Sequence, residues 1–365
     1  NLEYSGKCIT DAGLHHQVCI TLMDLPEECE EAHTSAFYLQ RLQGILDSGL
    51  PFDSVCFKDA SGTANPQKVY ETFKGARKLL GDDALIWYHT HDTAGVSVAC
   101  NLAAIEGAAT KDNNLGIDLA KSPVCGGTCQ PDIISMWHAL KGKPWTIDVD
   151  IMKIVEAEKI FEECMKDYFI PIEAKQVSPI IPLSPMPGGA LTANTMMMRD
   201  TGTLHLYPEV IREMTEVVKK GGFATSVTPV SQFYFQQAYA NVTQGKWKKI
   251  TDGYGNMVLG YFGRTPSKPD SEIIKLAEKQ LGKKPFDGHP LDILEPGIPQ
   301  ATKSLQENSL EITDENIFIA YACGEKGISF LKGNMKENIR KITTEAEAEV
   351  QAPASTQPKG TKGSG

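Results

Sequence analysis

Two histidines one residue apart, His89 and His91, close a short apolar run, Ala84-Leu85-Ile86-Trp87-Tyr88-His89-Thr90-His91-Asp92, which breaks at Gly95. Side chains two apart on a β-strand share a face, so the two imidazoles project together from the strand end. Paired neutral imidazoles are good metal ligands; the bland reading is two rim histidines hydrogen-bonded to neighbours. About 30 residues earlier, Asp53-Ser54-Val55-Cys56-Phe57-Lys58-Asp59 forms a second apolar run that delivers Lys58 and breaks into Ala60-Ser61-Gly62. A lysine ending a strand is ordinarily a solvated cap, and an ammonium has no lone pair to give a metal. It becomes a ligand only when CO2 carbamylates the neutral amine, making a carboxylate-like group that a divalent metal stabilises. Asp59 and Asp92 directly follow these residues and read equally as carboxylates orienting a ligand or as turn and helix caps. Thr192, after Pro187-Gly188-Gly189-Ala190-Leu191, reads as the N-cap of a helix over 193–201.

The elements that must position these residues alternate. A helix over 2–13 stops at Gly13, and 16–22 is a buried-looking strand. Pro26 and the acidic residues Glu27, Glu28, Glu30 and Glu31 suit the first turn of a helix running to about Asp47. The strand at 53–58 precedes a helix from Asn65-Pro66 to Leu80, and the strand at 84–91 precedes an Ala-rich helix over 96–109. A strand at 115–119 and a helix over 132–140 complete the pattern. Strand–helix units repeating every 30 residues or so call for a parallel sheet flanked by helices, and strands this apolar fit burial on both faces. Lys58, His89 and His91 then lie at the C-terminal ends of strands, where a (β/α) barrel carries its active site. These units make half of an eightfold barrel. A doubly wound open sheet is the alternative, although no Gly-rich nucleotide loop follows any strand. Beyond residue 145 helical patterns take over, at 148–168, 193–201, 207–220, 229–243, 270–281 and 313–322.

Composition narrows the function class. The 365 residues are 41% hydrophobic and 22% charged, as in a globular chain. A net charge of −10 argues against nucleic acid or an acidic membrane as the main partner. No apolar run reaches the roughly 18 residues of a membrane span, and no secretory signal is visible. Nine scattered cysteines, several inside apolar runs (Cys19, Cys56, Cys100), are expected to be reduced and buried in a cytoplasmic protein. Cys125 and Cys129 lack neighbouring partners for a metal or redox site. The last residues, Ala352-Pro353-Ala354-Ser355-Thr356-Gln357-Pro358 and a Lys/Gly/Ser tail, have linker composition.

Five ordered segments carry a family likeness: Phe57-Lys58-Asp59-Ala60-Ser61-Gly62, His89-Thr90-His91-Asp92-Thr93-Ala94-Gly95, Ser122-Pro123-Val124-Cys125-Gly126-Gly127-Thr128-Cys129-Gln130-Pro131, Met186-Pro187-Gly188-Gly189-Ala190-Leu191-Thr192, and Thr228-Pro229-Val230-Ser231-Gln232. Over residues 1–340 the chain resembles the carboxyltransferase domain of biotin-dependent enzymes acting on pyruvate and oxaloacetate. That family includes pyruvate carboxylase and, in its two-subunit type, the separate B subunit. It also includes the oxaloacetate decarboxylase α subunit and the pyruvate-binding subunit of transcarboxylase. The resemblance implies an α/β fold, the C-terminal half of a (β/α)8 TIM barrel followed by an α-helical funnel. It assigns 1–145 to the partial barrel, 146–342 to the helical region and 343–365 to a disordered linker. It implies a divalent metal, zinc first and manganese or cobalt as alternatives, on a carbamylated Lys58, His89 and His91. The family's aspartate ligand, in an Arg-Asp motif on the first strand, has no counterpart here, so the first four strand–helix units are expected to be missing. Thr192 matches the threonine that passes a proton between biotin and the pyruvate methyl group.

The implied partners are pyruvate and oxaloacetate, a biotinyl domain outside this chain, a biotin carboxylase subunit and further copies in a homo-oligomer, with no nucleic acid. Three other readings compete. A Na+-pump oxaloacetate decarboxylase α subunit with membrane β and γ subunits would run the same chemistry in reverse. A metal-dependent aldolase of the HMG-CoA lyase kind also uses His-x-His on a barrel. An inactive fragment would serve only as an assembly surface.

Overall fold

The structure, a computed structural model, describes residues 2–25, 29, 32–111, 114–335 and 341–342. Helix α1 (Leu2–Asp11) leads into strand β1 (Gln17–Leu22), and the chain then alternates through α2 (Ser35–Asp47), β2 (Ser54–Asp59), α3 (Pro66–Leu80), β3 (Leu85–Thr90), α4 (Ser97–Ala108), β4 (Leu115–Ile117) and α5 (Ile133–Ala139). The strands form one parallel sheet in the order β1-β2-β3-β4. Sequential order without a reversal leaves no switch point, and right-handed crossovers then carry every connecting helix to the same face. The doubly wound alternative is therefore not what the described residues form.

One sheet face holds Val18, Ile20, Leu22, Val55, Phe57, Ile86 and Tyr88, packed against Tyr38 and Leu42 of α2, Val69 and Phe73 of α3, and Cys100 and Ala104 of α4. Phe73 sits between Phe57 and Tyr88 at ring-centroid distances of 5.1 and 5.2 Å. Each fully buried side chain of this size contributes about 1.5–3 kcal/mol. The other face is more open. In β1, Val18, Ile20 and Leu22 are buried, whereas Gln17 and Cys19 are exposed. The expectation of two buried faces holds in β2, where Ser54 to Phe57 are all buried, and is corrected in β1 together with that of a buried Cys19 thiol.

After α5 come α6 (Ile151–Met165), the single turn α7 (Ile172–Lys175), α8 (Gly188–Asp200), α9 (Tyr207–Lys220), α10 (Val230–Gln244), α11 (Asp252–Val258), α12 (Ser271–Leu281), α13 (Gly297–Glu307) and α14 (Asp314–Leu331). In α9 the buried positions Val210, Ile211, Met214, Val217 and Val218 recur at helical spacing and join a core with Leu191, Met198, Tyr234, Phe235 and Tyr254. Met23, just past β1, is buried in that core, and the His33 ring donates to Phe223 O at 2.7 Å. These contacts fasten the sheet to the helices. α14 kinks at Gly324 (φ 56°, ψ −135°), two residues after the sequence pattern ends.

Two helix starts differ from expectation. α2 begins at Ser35 with Thr34 as its N-cap, accepting from Phe37 N; the start at Pro26 falls among residues outside those described. α8 begins at Gly188 behind Pro187, so Thr192 lies inside the helix and is not its cap. The tail at 343–365 lies outside the described residues.

Candidate active site

Parallel register places Thr21 of β1, Lys58 of β2 and His89 of β3 side by side in one row. That row is the last on the open face before the strands end. His91 follows one residue past β3, and its Nε2 lies 3.2 Å from Nε2 of His89. The two histidines thus converge as strand spacing suggests, and Lys58 stands beside them on the next strand.

Each ring is anchored through its other nitrogen. His89 Nδ1 lies 2.8 Å from Asp118 Oδ2, just beyond β4. His91 Nδ1 lies 2.7 Å from the carbonyl oxygen of Thr128. A carboxylate and a carbonyl only accept, so both Nδ1 atoms carry the proton when the rings are neutral. Both Nε2 lone pairs then point at the same space. Burial pushes His91 below the ordinary histidine value, outweighing the Thr128 hydrogen bond, and the neighbouring His89 and Lys58 charges add to the effect. The Gln130 amide approaches the two Nε2 atoms at 3.3 and 3.4 Å, too far to saturate either.

One row below, Cys19 and Cys56 are cross-strand neighbours. A hydrogen bond from the Cys56 thiol holds Cys19 below the ordinary cysteine value against partial desolvation, with help from Lys58 and His89.

The carboxylates beside the candidate ligands turn out to be turn residues. Asp59 is fully buried and accepts from Ala64 N (2.9 Å), Thr63 N (3.2 Å) and Ser61 Oγ (3.3 Å). Burial still lifts its carboxyl to about 6. Asp92 accepts from the Ser97 hydroxyl at the start of α4, while its own N–H donates to Cys129 O at 2.7 Å. Both carboxylates hold loops in place.

Thr192 joins the site through Thr128. The two hydroxyls are 2.8 Å apart, and Thr192 also reaches back to Gly188 O at 3.3 Å. Thr128 Oγ1 donates to Ala174 O at 3.1 Å, an acceptor that also takes the Thr128 N–H at 3.0 Å. The approach of α8 depends on a glycine. A Cβ on Gly188 would fall 2.6 Å from His91 Nδ1 and inside contact distance of Thr128 O. Thr192 also lines a cavity of about 800 Å³ with Met165, Tyr168, Phe169, Met196 and Met197.

The structure therefore brings Lys58, His89, His91 and Thr192 into one region, and adds Asp118, Thr128 and Gln130. Asp118 carried a signal in its position, directly following a strand as His91 does. Thr128 and Gln130 fall in the segment 122–131 that carries part of the family likeness, but their loop has no periodicity that places them. Among the described residues no three His, Cys, Asp or Glu side chains gather as a metal-holding group, and no helix is long and apolar enough to cross a membrane.

A family model described as a conserved carboxylase domain matches residues 181–359. The methylmalonyl-CoA carboxyltransferase 5S subunit of Propionibacterium freudenreichii subsp. shermanii is 29% identical over 326 residues, covering 88% of this chain and 61% of the relative. The pyruvate carboxylase B subunit of Methanothermobacter thermautotrophicus is 28% identical over 364 residues, covering 98% and 60%. The chain spans about three-fifths of the length of these curated relatives. The carboxyl transferase domain of Rhizobium etli pyruvate carboxylase, solved with pyruvate, superposes with a TM-score of 0.75 at 22% identity, covering 91% of this chain and 56% of that one. The chain thus shares that α/β fold over the matched part. Its sequence is similar to the pyruvate carboxylase B subunit and the carboxyltransferase 5S subunit over most of its length, and residues 181–359 match the conserved carboxylase domain model.

Proposed function

We propose that this chain is the carboxyltransferase part of a biotin-dependent enzyme that moves a carboxyl group between carboxybiotin and pyruvate, forming oxaloacetate. On this reading residues 1–145 are the second half of a (β/α)8 barrel, 146–342 are a helical funnel and 343–365 a linker toward a biotinyl domain. A biotin carboxylase subunit would recharge the biotin, and the complex would assemble as a homo-oligomer in the cytoplasm. The observation that carries the reading is that one residue, Thr128, bonds both His91 and Thr192.

The donor set suits a divalent cation. Two imidazoles with Nδ1 fixed leave two Nε2 lone pairs 3.2 Å apart, facing each other, which is unfavourable unless a proton or cation lies between them. Lys58 shares the row of His89 and would complete the set as its carbamate. When bound, such a metal supplies Lewis-acid polarisation of a substrate carbonyl, which favours an enolate.

The chain's own residues do the rest. The cavity beside Thr192 is lined mostly by apolar residues, Met165, Phe169, Pro171, Met196 and Met197 among them, with Asp200 as its one carboxylate. An apolar wall disfavours the carboxylated, charged form of biotin relative to neutral CO2, so it promotes CO2 release. Bound carboxybiotin would supply CO2, the pair of its N–CO2 bond staying on the biotin nitrogen. Thr192 Oγ1 would give its hydroxyl proton to that nitrogen as it accepts one from the pyruvate methyl group. The electron pair of the broken C–H bond becomes the enolate, which attacks CO2. Threonine ends with the proton count it began with, so no base of matched pKa is required.

The test is biotin-dependent oxaloacetate decarboxylation by the complete protein, comparing wild type with Thr192→Ala. The expected outcome is loss of about 10²–10⁴ in rate with metal content unchanged. Near-wild-type turnover in the variant would leave Thr192 as a helix residue with no relay role.

A further inference from the structure

We infer that Thr128 is a positioning residue for Thr192, whose side-chain hydroxyl swings between two acceptors and so sets the direction of the Thr192 proton. The inference rests on the relay reading above and adds a residue to it.

Each hydroxyl has a single proton to place. Thr128 Oγ1 has two oxygens within reach, Ala174 O at 3.1 Å and Thr192 Oγ1 at 2.8 Å. Thr192 Oγ1 has Thr128 Oγ1 at 2.8 Å and Gly188 O at 3.3 Å as protein acceptors. When Thr128 donates to Ala174, it can only accept from Thr192. The Thr192 proton is then held on the protein and points away from any substrate. When Thr128 turns and donates to Thr192, that bond occupies one Thr192 lone pair. The Thr192 proton is then free to point at a substrate nitrogen, and the remaining lone pair is free to accept a carbon-bound proton. A relay through Thr192 requires the second arrangement.

Nothing is left unpaired by the swing. Ala174 O keeps the Thr128 backbone N–H at 3.0 Å in both states. The Thr128 carbonyl that holds His91 belongs to the backbone and does not move with the hydroxyl. The side chain of Thr128 therefore tunes the relay, while its backbone tunes the histidine pair. Without the donor, the nearest protein acceptor for the Thr192 proton is Gly188 O, four residues back on the same helix, which holds the proton within the helix.

Substitutions of the side chain separate these roles. Thr128→Val keeps the shape and the backbone carbonyl but removes the hydroxyl; Thr128→Ser keeps the hydroxyl. In biotin-dependent oxaloacetate decarboxylation by the complete protein, with free biotin as the probe, Thr128→Val is expected to lower kcat about 10²-fold with KM for oxaloacetate unchanged. Zn2+ affinity should stay at the wild-type value, and Thr128→Ser should restore most of the rate. Wild-type kcat in Thr128→Val, alongside an inactive Thr192→Val, would overturn the role of Thr128 and leave the relay intact. An active Thr192→Val would instead overturn the relay itself. If Thr128→Ser is as slow as Thr128→Val, packing of the methyl group matters and the hydroxyl does not, which also sinks the proposal.

Discussion

Two adjacent glycines at the start of α8 offer a matched test of how the site is built. A Cβ on Gly188 would lie 2.6 Å from His91 Nδ1 and 2.8 Å from the carbonyl carbon of Thr128, whereas one on Gly189 would meet nothing within 4 Å. Ordinary carbon contacts begin near 3.5 Å and the Thr128 carbonyl oxygen lies closer still, so Gly188→Ala requires a shift of more than about 1 Å between helix and loop. Overpacking of this kind costs about 1–3 kcal/mol, and the His91–Thr128 hydrogen bond is worth about 1 kcal/mol more. Gly189→Ala meets no clash and gains about 0.5–1 kcal/mol of helix propensity. The two neighbours should therefore differ by about 2.5–5 kcal/mol in urea unfolding. Losing the Nδ1 anchor also frees the His91 ring, and loss of such an outer partner costs about 10–100-fold in metal affinity. Chelator competition with Zn2+ measures that. A Gly188→Ala variant matching Gly189→Ala in both midpoint and metal affinity would show that α8 does not press on the histidine pair.

Two further outcomes follow from single residues. Lys58→Ala should lose bound divalent metal on purification, and full occupancy would remove the carbamate from the site. His33, driven down to about 4 by burial, which outweighs its hydrogen bond to Phe223 O, makes stability depend on pH. The unfolded chain takes this proton near 6.5, so between pH 6.5 and 4 the unfolded state binds more protons. Stability should thus fall as pH falls through that window, by about 3 kcal/mol from this group. His33→Phe should flatten the slope in thermal melts taken from pH 7 to 4. An unchanged slope would place the acid sensitivity elsewhere.

The sheet is largely legible in the sequence because its signal is local. Apolar runs separated by about 30 residues mark the strands in order, and the i, i+2 rule correctly brings His89 and His91 together. The start of α2 is harder to read. An acidic run after Pro26 satisfies every local rule for a helix N-terminus, yet the observed cap is Thr34. Thr192 shows the same limit at the site. Threonine before a helical pattern has the local look of a cap, but Pro187-Gly188 starts the helix five residues sooner because the chain must pass close to Thr128 and His91. Only the tertiary contact decides, and the family likeness supplied what local pattern did not.

Asp118, Thr128 and Gln130 escape role assignment from sequence for a related reason. Each acts through a partner 29 to 64 residues distant in the chain, so no spacing rule connects them to it. What links the partners is geometry at the ends of β3 and β4, where the loop at 118–131 runs over the histidines and under α8. That loop gives a carboxylate to His89, a carbonyl to His91 and a hydroxyl to Thr192. A change in its course must alter the imidazole pair and the threonine together. Side-chain changes at Thr128 reach only the threonine, and changes at Asp118 reach only His89. Backbone pressure from Gly188→Ala should reach both, so that variant should lose metal affinity and relay activity in parallel, which neither single side-chain substitution can do.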